Sequence, residues 1–129
     1  MSLHVVTGSS LSGMTGRFRE AMRLMRKRDP QAREDGFHML LPYASEHVED
    51  LVAEFRAERD DHGLRYWLLE LIGTARSPVA LPLLVAELNS SDEALRRWAR
   101  RGLELLDTKQ AREALWRTST VKQERDHHT

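Results

Sequence analysis

Residues Asp61–Leu106 read DHGLRYWLLELIG, TAR, SPVALPLLVAELNSSD, EALRRWARRGLELL. The stretch opens on Asp61 and Arg65, and the same pair recurs as Asp92 and Arg96, 31 residues on. Upstream stands a third copy, Asp29 and Arg33, 32 residues before Asp61. The residue before each arginine is apolar: Ala32, Leu64 and Leu95. Sixteen residues after each aspartate comes Ser45, Ser77 or Thr108, side chains able to accept a backbone N–H at a helix start. Further registers agree across the repeats: Leu40, Ile72 and Leu103; Val48, Ala80 and Ala111; Val52, Leu84 and Leu115. A repeat of this length is the mark of stacked supersecondary units.

Each repeat reads as two helices. The first helices are expected at Pro30–Leu41, His62–Ile72 and Asp92–Leu106, the second at Glu46–Glu58, Pro78–Leu88 and Lys109–Arg117. Leu64, Leu68, Leu71 and Ile72 keep the 3–4 spacing of one helix face, as do Val48, Leu51, Val52 and Phe55. Pro78 suits the first helical position after a Ser77 cap, Pro82 should bend or delay the helix, and Gly73 suits a helix stop. Upstream, about Thr15–Arg28, Phe18, Ala21, Met22 and Met25 share a face, where the second helix of a preceding repeat would stand. The expected architecture is all-α: one N-terminal cap helix and about three helical hairpins stacked as a solenoid. It occupies 13–118 as a single domain, with flexible segments at 1–12 and 119–129.

The strings DHGLRYWLLELIG, SPVALPLLVAELNSSD and EALRRWARRGLELL resemble short bacterial HEAT repeats of the phycobilin-lyase-like type. The resemblance covers about Asp29 to Arg117, best in the second repeat and least in the first, where Gly36 and Pro42 interrupt the pattern. It implies a right-handed α-α superhelix. It does not imply lyase activity, because such repeats serve unrelated roles.

Composition narrows the function. Twenty basic and twenty acidic residues cancel, which counts against a dedicated binder of nucleic acid or anionic membrane. The balance is local: +5 over Thr15–Arg33, −7 over Glu34–Asp61 and +2 over His62–Thr129. No apolar run is long enough to span a bilayer, and Met1–Gly16 lacks the build of a signal peptide, so the expected compartment is the cytoplasm. Cysteine is absent, which removes disulfides, thiolate catalysis and Cys-ligated metal. The six histidines have no metal-ligand spacing, and no phosphate loop, dinucleotide turn or nucleophile elbow occurs. No catalytic residue, cofactor or metal is expected.

The candidate sites are therefore surfaces. Offsets 20 and 24 from each aspartate should face away from the core on the second helices: Glu49 and Ala53, Leu81 and Val85, Arg112 and Trp116. Glu49, Leu81, Val85, Arg112 and Trp116 form the expected partner-binding stripe on the solenoid's inner face, for another protein, a peptide or a second copy of the chain. Trp67 and Trp98, at equivalent positions, with Arg97 and Arg101 form a secondary patch, and Arg96, Arg97, Arg100 and Arg101 with Trp98 form the only candidate for the alternative function, nucleic-acid binding. Asp29, Arg33, Asp61, Arg65, Asp92 and Arg96 form a structural ladder, each arginine expected to bond its loop aspartate and nearby carbonyls. The function expected is a non-enzymatic protein–protein interaction module: a scaffold, adaptor or immunity-type protein.

Overall fold

The computed structural model describes residues 16–128, with side chains described as far as Thr120. The expected N-terminal segment 1–12 lies outside the described residues. Among the described residues there are seven α-helices and no strand. They are α1 (16–25), α2 (Pro30–Leu40), α3 (Val48–Ala57), α4 (His62–Thr74), α5 (Leu81–Glu87), α6 (Glu93–Leu106) and α7 (Lys109–His128). Short 3-10 turns at Leu41–Glu46 and Pro78–Ala80 precede α3 and α5. No described helix is long and apolar enough to cross a membrane. The helices divide into two compact units, one ending at Tyr43 and the other starting at Ala44. That boundary falls within the first expected hairpin.

In the first unit, α1 buries Phe18, Ala21, Met22 and Met25, the face its spacing marks out. α2 starts on Asp29, whose carboxylate accepts from Gln31 N, with Pro30 at the first turn, where no N–H is needed. Gly36 does not interrupt α2. It is buried against α1, and a Cβ there would come within 2.5 Å of the Ala21 carbonyl oxygen and 2.7 Å of Met25 Cγ. The small residue sets how closely the two helices approach.

In the second unit, α4 is central. It packs on α3 and on α6, while α6 also packs on α5 and α7. The 3-10 turn Pro78–Ala80 lies beside α3, and α5 beside α7. First helices thus pair with first helices, and second helices with second helices, in two layers. Leu64, Leu68, Leu69, Leu71 and Ile72 of α4 are fully buried. A helix covered on more than one side is apolar over more than a stripe, which is why Leu69 is buried although it lies outside the expected face. Each such leucine contributes about 1.5–3 kcal/mol by leaving water. The shared registers are the core: Ile72, Leu103, Val48, Ala80, Ala111, Val52 and Leu84 are all buried, with Leu115 half-buried.

Three local expectations are corrected, for Gly73, Ser45 and the end of α7. Gly73 is not a helix stop, since α4 runs to Thr74 and ends in a turn where Arg76 takes φ 51°. Gly73 instead faces Gly102 of α6, and a Cβ on it would lie 2.9 Å from Gly102 Cα. Ser45 is not a cap: it lies in a 3-10 turn and α3 starts after His47. Ser77 and Thr108 do cap, accepting from Val79 N and Ala111 N. Pro82 falls in the first turn of α5 and, as its position implies, the helix is delayed: the chain makes a 3-10 turn first and the α-helix opens at Leu81. Finally, α7 does not end at Arg117. It continues to His128. Residues 118–128 contain neither proline nor glycine, so the sequence supplies no helix breaker there.

Candidate interaction face

The second-layer helices carry the expected stripe. On α5, Leu83 and Leu84 point into the core while Leu81 and Val85 are half-buried. On α7, Ala111 and Ala114 are buried, and Trp116 stands outward, 69% exposed. On α3, Glu49 and Ala53 are exposed, opposite the buried Val48, Leu51, Val52 and Phe55. Arg112 is exposed beside the start of α7 and donates to the Asp107 carbonyl at 2.8 Å and its carboxylate at 3.0 Å. The helix register therefore places all five stripe residues off the core. It grades them, however, from the half-buried aliphatic pair to the open indole. Val79, 52% exposed in the 3-10 turn beside α3, adds an apolar side chain to this layer. Sequence reading assigned it no role, because 3.6-residue periodicity does not hold across a 3-10 turn.

The secondary patch lies on α4 and α6. Trp67 and Trp98 are both half-buried, and Arg97 and Arg101 are exposed. Trp98 and Arg101 line a hollow of about 340 Å³ with Glu70, Thr74, Arg76 and the Gly73–Gly102 contact. Removal from water pushes the Glu70 carboxyl above its ordinary value.

The aspartates of the ladder are helix caps. Asp29 accepts from Gln31 N, Asp61 from Leu64 N at 3.1 Å, and Asp92 from Ala94 N and Leu95 N. Asp92 also accepts from the Tyr66 hydroxyl at 2.6 Å and lies 3.4 Å from His62 Nδ1, tying α6 to α4. The Tyr66 bond first, and then the helix-start N–H groups and His62, hold the Asp92 carboxyl below its ordinary range. The same bond pushes the Tyr66 hydroxyl up.

The arginines differ. Arg33 Nε donates to the Lys27 carbonyl and Arg96 to the Ser90 carbonyl, each at 2.6 Å and each six residues back. They tie down the preceding loop. Arg65 makes neither an aspartate nor a carbonyl bond of this kind, which corrects the expectation of an equivalent tie at all three positions. It is 8% exposed, its guanidinium lies 4.1 Å from the Phe55 ring centroid, and its Nε is buried without a hydrogen-bond partner among the described residues. A desolvated cation over an aromatic face is worth about 2 kcal/mol, which offsets only part of the cost of burying it.

Among the described residues no three His, Asp or Glu side chains converge as a metal ion would require. Comparison with known proteins finds no matching family model, curated protein or solved structure.

Proposed function

We propose that the chain is a non-enzymatic protein-interaction module, a short HEAT-like helical solenoid that docks a partner protein on the layer of α5 and α7. The observation that carries this reading is Trp116. Core packing does not require an indole there, since α7 already buries Ala111 and Ala114 on its inner face. An open tryptophan beside an arginine is the composition of a binding hot spot. Half-buried Leu81 and Val85 on the adjacent helix supply the apolar shoulder, and exposed Glu49 and Arg112 supply charges of opposite sign for orientation.

Trp116→Ala is the cleanest test. It should leave thermal stability within about 0.5 kcal/mol, as for other exposed positions. It should weaken association about tenfold or more, as loss of a hot spot of about 2 kcal/mol does. Partners captured from the host lysate by the wild-type chain and lost by the variant would identify the ligand. Sedimentation of the two proteins would show a self-association if the partner is a second copy. Equal capture and equal sedimentation by both would remove this face from consideration.

A further inference from the structure

The hollow beside Arg65 lies between the end of α3, the start of α4 and α5. It measures about 380 Å³ and is lined by Phe55, Arg56, Arg59, Arg65, Leu83, Ala86 and Glu87. Three of these side chains are cationic and one is anionic. Arg65 is the deepest, with a buried Nε that has no partner among the described residues. Arg56 and Arg59 are exposed. A buried guanidinium needs both an acceptor for its N–H groups and a counter-charge. Water can supply the first and not the second. The Phe55 ring supplies only a weak negative face, and Glu87 is a single carboxylate against three arginines.

We propose that this hollow is an oxyanion site, built to take a carboxylate or phosphate group against Arg65, with Arg56 and Arg59 closing on it from the rim. The planar fork of a guanidinium matches two oxygens of either group. The ring of Phe55 lies 4.1 Å from the guanidinium on one side, and buried Leu83 adds an apolar side chain to the lining. Glu87 moderates the site, so that a singly or doubly charged group is held without a permanent excess of charge around it. The site stands apart from the Trp116 face and does not depend on it.

The test uses the full chain labelled with 15N, following the arginine Nε–Hε signals during titration with inorganic phosphate or acetate at constant ionic strength, with chloride as the reference. A saturable shift of the Arg65 signal is expected, larger than any produced by chloride. Phosphate acting more strongly than acetate assigns the site to phosphate groups, and the reverse assigns it to carboxylates. Arg56→Gln with Arg59→Gln leaves the buried residues alone and should weaken binding about tenfold. Glu87→Gln should tighten it. Arg65→Met should abolish it while the chain stays folded, and Trp116→Ala should leave it unchanged. No saturable shift with either anion, or undiminished affinity in the Arg56/Arg59 double variant, overturns the proposal.

Discussion

The junctions at Asp92–Arg96 and Asp61–Arg65 share the pattern Asp, two residues, Leu, Arg, and come to opposite ends. At the first, the aspartate collects two backbone N–H groups, the Tyr66 hydroxyl and His62, while the arginine clamps the Ser90 carbonyl. At the second, Asp61 caps α4, and Glu58 accepts from Asp60 N and Asp61 N to hold the loop. Arg65 makes no loop tie here, and its guanidinium lies over the Phe55 ring. The residue ten positions before the arginine differs among the three junctions. It is Phe55 here, Ala86 before Arg96 and Arg23 before Arg33, and only the phenylalanine offers a ring. One motif can thus serve as a tie or present a charge.

The contrast is broken most severely at Asp92. Asp92→Ala removes a helix cap and a charge-assisted bond to Tyr66, and should cost about 2–3 kcal/mol in urea unfolding. A loss below half that would mean that the first junction is no more rigid than the second.

Acid should reach the same residue. Because the folded state holds Asp92 below its ordinary value, its contribution is present above the unfolded value and is lost as pH falls through the folded one. Glu70 works in the other sense: burial raises its value, so its charged form burdens the fold above that raised value and the burden lifts as pH falls through it. Glu70→Gln should therefore raise stability at neutral pH and not in strong acid, whereas Asp92→Asn should flatten the acid loss. Melting curves of both variants across pH separate the two carboxylates.

Arg96→Ala should cost about 1 kcal/mol, the worth of one hydrogen bond to the loop. Arg65→Met should cost less than that or raise stability, because it replaces an unsatisfied buried charge with an apolar side chain of similar reach. Urea midpoints that fall equally in the two variants would show that Arg65 is a structural tie after all and would erase the contrast.

Much of this was legible in the chain. The spacing of Asp29, Asp61 and Asp92 located the starts of α2, α4 and α6, because an aspartate before an apolar face is a cap with a mechanism. The stripe was legible by register, which places Leu81, Val85 and Trp116 off the core but does not say how far each stands out. Burial depends on the neighbouring helix, and only Trp116 is widely open. Gly73 was misread because glycine next to an apolar run looks the same whether it ends a helix or admits another one. The condition of Arg65 was hidden because it depends on Phe55, a residue that periodicity assigns to the core and nothing further.

The close pass of α4 and α6 at Gly73 and Gly102 has a consequence for anyone who would rebuild the molecule from its own parts. Gly73 stands twelve residues after Asp61, whereas Gly102 stands ten after Asp92. At the matching offsets the partner helices carry Glu104 and Leu71. The seam is cut like a key and its lock, with different notches on the two sides. A consensus that averages the repeats would fill both notches, and a duplicated copy of either helix would meet its neighbour with a side chain where the native pair has almost no room. The repeats share a period without being interchangeable, and lengthening this array requires designing a new seam before adding a new copy.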